Sequence, residues 1–276
     1  MIYKQMALKE RFPFLGEGGR DPNVTVYLPD PMTEMGRDNQ KRPCLVICPG
    51  GGYGMCSQRE AEPIALQFLA DGYNVFVLTY SVAPYRFPSQ LREVAAVMEL
   101  IYENGDNWHC DTERVAILGF SAGGHLAAHY STCYDIPEVR EVFPESKPVQ
   151  ASVLCYPVIS AEPAVTHLGS CQNLLGVEKL TPEQVEAFSC HKRVTEKTPP
   201  AFLWHTAQDD AVPVANTLLY AQALARYQIP FAVRIYPFGW HGLATVDDLT
   251  NDNLPPKIAA AHQWLPDAKA WLKDVL

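Results

Sequence analysis

The chain has 276 residues, 47% of them hydrophobic and 19% charged, which is enough apolar side chain for one large domain and too much for a disordered one. Its formal net charge of −9 is the wrong sign for a nucleic-acid or anionic-membrane partner, since both require basic patches. Charges interrupt every apolar run of the N-terminal MIYKQMALKERFPFLGEGG, so no signal-peptide core is expected, and no stretch reaches the ~20 apolar residues of a membrane span. The expectation is a cytoplasmic protein whose eight cysteines are reduced thiols used as small hydrophobes.

In chain order, residues 1–40 hold one strand candidate, Asn23 to Leu28, closed by Pro29 and Pro31; Met32 to Arg42 reads as an exposed loop. Cys44 to Cys48 is a continuous apolar run of the kind buried on both faces of a parallel sheet. A metal pair at Cys44 and Cys48 is disfavoured, because strand positions i and i+4 lie ~13 Å apart. Pro49-Gly50-Gly51-Gly52-Tyr53-Gly54 follows, then a helix from Glu60 to Asp71 ended by Gly72. Asn74 to Thr79 is the next strand, Ser81 to Ser89 a Pro/Tyr-rich loop, and Gln90 to Glu103 an amphipathic helix. Val115 to Leu118 is a strand, and Gly124 to Cys133 a small-residue helix. Val149 to Cys155 is again a buried strand.

Pro157 to Pro200 breaks the rhythm, with short helical pieces and a capping-box pattern at Thr181 to Gln184; it reads as an insertion lying over the sheet. Strand Ala201 to Trp204, helix Ala215 to Tyr227, strand Phe231 to Tyr236 and a terminal helix Ile258 to Val275 interrupted or kinked by Pro266 complete the chain. Strand–helix alternation of this kind predicts one α/β domain over residues 1–276: a mostly parallel sheet with helices on both faces and 157–200 as a small cap-like insertion. Ligands on such sheets bind beyond the carboxyl ends of the strands.

Gly119-Phe120-Ser121-Ala122-Gly123 lies where the strand Val115 to Leu118 meets the following helix. That is G-x-S-x-G in the setting of a nucleophile elbow, where the serine tips a turn so tight that its neighbours at −2 and +2 must be almost free of side chain. A serine hydroxyl needs a general base, and the base needs an orienting carboxylate. His241, between glycines in the loop after strand Phe231 to Tyr236, is the expected base; His205 reads as a packed or loop-anchoring residue, and His125 and His129, without an acidic partner, as helix packing rather than a metal pair. The acid belongs after the preceding strand, where Asp209 and Asp210 are adjacent; Asp209 is preferred and Asp210 stays open, with helix capping as its other role. Amides of Gly51 and Gly52 beside that of Ala122 would stabilise an oxyanion. A phosphate loop lacks its spacing here.

At these residues the chain resembles the α/β-hydrolase family, and within it the small esterases and acetyl esterases related to the hormone-sensitive-lipase group, including acetyl-xylan-esterase-like bacterial members. The likeness rests on Pro49 to Tyr53, Arg59-Glu60-Ala61-Glu62-Pro63, Tyr80-Ser81-Val82-Ala83-Pro84, Gly119 to Ala127, and Trp204-His205-Thr206-Ala207. It implies an α/β-hydrolase fold, a triad of Ser121, Asp209 and His241, oxyanion donors Gly51, Gly52 and Ala122, and no metal or organic cofactor. Its substrate would be a small-molecule ester, a short acyl group such as acetyl on a sugar or xylo-oligosaccharide. Tyr53, Tyr80, Tyr85 and Trp240 would offer faces for the sugar. Two departures stand out: Pro49 replaces the histidine that precedes the glycines in the wider group, and the acidic pair follows Gln208, one residue later than in many relatives. A peptidase of the same fold and a non-catalytic binding protein are the rival readings. The chain lacks room for the propeller that oligopeptidases carry, and no triad member is missing. Self-association is left open.

Overall fold

Runs of aliphatic side chains without polar alternation can be satisfied only between two covering layers. The computed structural model, which describes residues 1–276, places them so. The strands are β1 (Ile2–Ala7), β2 (Asn23–Leu28), β3 (Arg42–Cys48), β4 (Asn74–Thr79), β5 (Cys110–Phe120), β6 (Ala151–Cys155), β7 (Ala201–Thr206) and β8 (Phe231–Tyr236). They form one sheet in the order β1-β2-β4-β3-β5-β6-β7-β8. β2 runs antiparallel to both β1 and β4, and all other neighbours are parallel.

The period-2 alternation of strand side chains divides the interior into two cores. Cys44, Val46, Val115, Ile117, Leu154 and Leu203 face one layer, with the helices Ser89–Glu103, Ser121–Cys133 and Ala215–Arg226 packed on it. Leu45, Ile47, Ala116, Leu118, Val153 and Phe202 face the other, covered by the helices Glu62–Leu69 and Trp264–Val275. The expected α/β architecture is therefore present, with the candidate residues on loops at the carboxyl ends of the parallel strands. No helix is long and apolar enough to cross a membrane. All eight cysteines are free thiols, and seven of them are buried.

Four boundaries differ from the sequence reading. β1 was not expected. Ile2, Tyr3, Lys4 and Gln5 are exposed on this edge strand, so no buried face imposes an alternating pattern. β5 begins at Cys110, well before Val115, because its polar first half pairs only through Arg42 of β3. The helix expected from Glu60 is a short 3-10 turn, Gln58–Glu60, followed by the α-helix Glu62–Leu69 with Pro63 in its first turn. The terminal segment is not one kinked helix: a single turn Pro256–Ala259 and a 3-10 turn Ala260–Gln263 precede the helix Trp264–Val275. Pro266 sits in the first turn of that helix, where its missing N–H has no partner to lose.

Between β6 and β7 the chain forms the helices Leu168–Leu175 and Pro182–Phe188 and no strand. The capping box is made, with the Thr181 hydroxyl accepting from the Gln184 amide and the Gln184 side chain accepting from the Thr181 amide. This segment reaches the sheet's carboxyl end, where Asn173 Nδ2 donates to the carbonyl of Gly52 at 2.9 Å.

Candidate active site

Ser121 follows directly on β5 and opens the helix Ser121–Cys133 with φ of +53°. A left-handed conformation in a non-glycine residue costs about 1–2 kcal/mol and persists only where the surroundings impose it. The imposing contacts are backbone to backbone. A Cβ on Gly119 would stand 2.1 Å from the carbonyl oxygen of Gly123, and a Cβ on Gly123 would stand 2.1 Å from that of Cys48. The two glycines of the motif are thus required by the approach of the helix to β5 and β3.

The loops after β7 and β8 bring the other two groups to the serine. His241 Nε2 lies 2.8 Å from Ser121 Oγ, and His241 Nδ1 lies 2.7 Å from Asp209 Oδ2. The carboxylate can only accept, so Nδ1 carries the proton and Nε2 is left to receive that of the serine. Asp209 Oδ1 accepts the amides of Ala211 at 3.0 Å and Val212 at 2.8 Å, which turns the side chain inward. Asp210 is exposed and meets only the backbone amide of His241, at 3.4 Å. The carboxylate that reaches the His241 ring is Asp209.

His205, at 0% side-chain exposure, is the loop anchor the sequence suggested. Its Nδ1 accepts from the Thr217 hydroxyl at 2.8 Å, and its Nε2 donates to the carbonyl of Val212 at 2.9 Å and approaches Asp209 Oδ2 at 3.2 Å. Burial alone would raise the Asp209 carboxyl. Hydrogen bonds from His205 and His241, the charge of His241 and the Val212 amide outweigh it and hold the group well below the usual carboxylate range.

After β3, Gly51 and Gly52 take φ of +126° and +63°. The Gly51 carbonyl accepts the amides of Gly54 and Met55 at 3.0 and 3.1 Å, a turn so close that a Cβ on Gly51 would lie 2.3 Å from the Met55 oxygen. The Gly51 and Gly52 amides themselves bond to no protein acceptor, and the Ala122 amide lies in the first helical turn, where no intrahelical partner exists. These are the donors an oxyanion requires.

Two of the expected sugar platforms are corrected. Tyr53 is 1% exposed and Tyr80 2%, so neither presents a face to a ligand. Both support the glycine loop from beneath. Tyr80 donates to the carbonyl of Pro49 at 2.6 Å, and Tyr53 donates to His125 Nδ1 at 2.8 Å, whose Nε2 donates to the Phe188 carbonyl at 3.0 Å. The tyrosine on Pro49 holds the loop where the wider group has a histidine. Burial drives His125 down to about 3, so it remains neutral in this role. Trp240 is 40% exposed, and neither it nor Tyr85 lines the cleft over the serine.

That cleft has a volume of about 240 Å³ and is walled by Ser121, His241, Gly51, Gly52 and Gly242, with Met55, Ser57, Arg59, Glu60 and His167 completing it. A larger surface cavity of about 410 Å³ near Tyr134, Lys192 and Tyr227 contains none of the triad. Sequence reasoning did not select Arg59, Glu60 or His167. Arg59 forms no ion pair and reaches only the Thr250 carbonyl, at 3.4 Å. His167, from the insertion, accepts the Ser170 hydroxyl at 2.8 Å on Nδ1, which puts its proton on Nε2. No group of three or more His, Cys, Asp or Glu is arranged to hold a metal ion.

The BD-FAE family model matches residues 30–224, a span that includes Ser121 and Asp209 and stops short of His241. The chain is 35% identical over 232 residues to the endo-1,4-beta-xylanase B of Butyrivibrio fibrisolvens, covering 80% of this chain and 36% of that protein. It is 33% identical over 213 residues to the acetylxylan esterase of Xylanibacter ruminicola, covering 74% of this chain and 42% of that protein. The chain therefore spans well under half the length of these curated relatives. Among solved structures, an acetyl ester-xyloside bifunctional hydrolase from Caldicellulosiruptor lactoaceticus superposes with a TM-score of 0.84 at 34% identity, covering 99% of this chain and 96% of that one. A carboxylesterase from Lactobacillus plantarum superposes with a TM-score of 0.83 at 29% identity, covering 99% and 98%.

Proposed function

Because the chain belongs to the BD-FAE family of α/β hydrolases, we propose that it is a serine carboxylic-ester hydrolase that removes short acyl groups, acetyl above all, from sugars or xylo-oligosaccharides. The observation that carries this reading is the unbroken relay Ser121–His241–Asp209, with steps of 2.8 and 2.7 Å, opening beneath two unpaired glycine amides. Ser121 Oγ attacks the ester carbonyl as His241 Nε2 takes its proton. Asp209 fixes the imidazole tautomer and stabilises the imidazolium. The tetrahedral oxyanion is met by the amides of Gly51, Gly52 and Ala122, each such donor being worth about 10²–10³ in rate. The alkoxide departs with the proton of His241, and water then cleaves the acyl-enzyme by the same relay.

A cleft of about 240 Å³ with one apolar side chain, Met55, favours a small acyl group over a fatty chain. The names of the xylan-degrading relatives supply the choice of alcohol. A cytoplasmic site of action, supported by the free and mostly buried thiols, would make acetylated oligosaccharides rather than polymeric xylan the substrate. The test is an ester panel of p-nitrophenyl acetate, butyrate and octanoate with acetylated xylo-oligosaccharides, alongside aminoacyl-anilides. Acetyl turnover with a fluorophosphonate adduct on Ser121, both lost in Ser121→Ala, is the expected result. Cleavage of the anilides in preference to the esters would replace the esterase by a peptidase.

A further inference from the structure

Beneath the cleft lies a carboxylate that the relay does not use. Glu60 is 3% exposed and makes no ion pair within the fold. A buried carboxylate without a cation costs several kcal/mol unless hydrogen bonds compensate it. Its two oxygens face two different catalytic loops. Oε2 accepts the Gly50 amide at 2.8 Å, at the root of the oxyanion turn. Oε1 accepts the hydroxyl of Tyr156 at 2.6 Å. Tyr156, just past β6, is itself held at φ of +36°. Its ring stands edge-on to the His241 imidazole at 5.0 Å, and its hydroxyl oxygen accepts the amide of Ala244, three residues beyond His241, at 3.0 Å.

We propose that Glu60 is a positioning residue for ester hydrolysis, tying the oxyanion loop through Gly50 to the His241 loop through Tyr156 and Ala244. The inference rests on the esterase reading above. The polarity of the chain is fixed from both ends. The Gly50 amide can only donate. The Ala244 amide can only donate, so the single proton of Tyr156 must go to Glu60. Only an ionised carboxylate accepts on both oxygens with nothing to donate in return. Burial is the larger effect and leaves the Glu60 carboxyl raised, opposed by the bonds from Tyr156 and Gly50 and the charges of His241 and Arg59. The approach requires glycine at position 50, since a Cβ there would meet Glu60 Oε2 at 2.6 Å and Ser121 Cβ at 3.0 Å.

The decisive variants are Glu60→Gln and Tyr156→Phe. Glutamine keeps the shape but aims an NH₂ at one of two donors, so one end of the strut fails. A displacement of about 1 Å in a catalytic loop costs roughly 10²-fold in turnover, and the expected fall in kcat for Glu60→Gln is about 10–100-fold with KM within threefold of wild type. Tyr156→Phe removes only the hydroxyl and should cost about tenfold; it carries the test should Glu60→Gln fail to fold. Glu60→Asp keeps the acceptor pair and should recover part of the loss.

Affinity for a trifluoromethyl-ketone analogue, which reports the oxyanion loop, should fall in parallel with kcat/KM. Either variant keeping kcat within twofold, or losing kcat while binding the analogue as wild type does, would overturn the proposal. The rate of fluorophosphonate labelling of Ser121, wild type against variant, needs no ester substrate. A wild-type protein that labels but hydrolyses no ester would end the esterase reading, and the labelling ratio would still decide the role of Glu60.

Discussion

Replacing Asp209 by asparagine tests the constellation at the point where two adjacent carboxylates compete. Asp209 receives four donors: His241 Nδ1 at 2.7 Å and His205 Nε2 at 3.2 Å on Oδ2, and the amides of Ala211 at 3.0 Å and Val212 at 2.8 Å on Oδ1. An asparagine offers one acceptor oxygen. If that oxygen keeps the two backbone amides, the NH₂ faces His241 Nδ1, and the imidazole must move its proton to Nε2. There it donates to Ser121 instead of accepting from it, and the general base is gone. If the amide flips, the NH₂ abuts two N–H groups and the turn that aims residue 209 inward is lost. The first state is the cheaper, so Asp209→Asn should fold and lose about 10⁴ in kcat, or about 5.5 kcal/mol of transition-state stabilisation. Asp210→Asn removes a charge but keeps an oxygen that can still accept the His241 amide, a 3.4 Å contact, and its kcat should stay within about threefold of wild type. The assay is kcat on p-nitrophenyl acetate, with Tm measured on the same samples to separate catalysis from folding. Asp209→Asn retaining more than a hundredth of wild-type kcat, or Asp210→Asn falling further than Asp209→Asn, would refute the reasoning.

Gly123→Ala places a methyl 2.1 Å from the Cys48 oxygen and 2.3 Å from that of Pro49, so it should cost more than about 3 kcal/mol and appear as insoluble protein or a large drop in Tm. Gly52→Ala, whose Cβ would have no neighbour nearer than 3.8 Å, carries only the strain of φ +63° and should fold with a Tm lowered by a few degrees. His129, pushed down to about 4 by burial, is charged in the unfolded chain below about 6.5 but neutral in the fold. Stability should therefore fall as pH drops from about 6.5 towards 4, by about 2 kcal/mol at pH 5 from this residue, and His129→Phe should flatten that part of a Tm–pH curve. Asp209, depressed in the fold, contributes stability that is present above its ordinary value of about 3.9 and lost below it. Tm should fall more steeply below pH 4 in wild type than in Asp209→Asn.

The parallel sheet and the nucleophile were legible because their physical requirements leave marks on composition: strands buried on both faces demand unbroken apolar runs, and the elbow demands glycine on either side of the serine. The histidine that meets Ser121 was legible for the same reason, as a residue between glycines past a strand. The acid was only half legible. Asp209 and Asp210 are the same residue type one position apart, and what separates them is the turn in which the amides of Ala211 and Val212 capture one carboxylate. Tyr53 and Tyr80 were misread because a ring with a hydroxyl suits a sugar face and a core strut equally, and only burial distinguishes them. Glu60 stood in a quoted motif without a role, since its partners Gly50 and Tyr156 come from opposite sides of the serine in sequence. β1 left no pattern at all, because an exposed edge strand has no face to hide.

The serine, the acid and the base each follow a strand, β5, β7 and β8, that belongs to one hydrogen-bonded ladder with β6 between them. Ladder spacing of about 4.8 Å per strand is a property of backbone pairing and takes no account of how far the chain wanders between strands. The sheet therefore acts as a ruler for the reaction, and the excursion from β6 to β7, once past Tyr156 and Val158, can change length without moving the divisions on it. Past Tyr156, Pro157 and Val158, which touch the site directly, its ties to the chemistry run through His167 in the cleft wall, Asn173 to Gly52 and Phe188 to His125. A foreign segment of different size, grafted beyond Val158 and recreating the contacts to Gly52 and His125, would leave the triad where it stands while presenting a new wall to the alcohol.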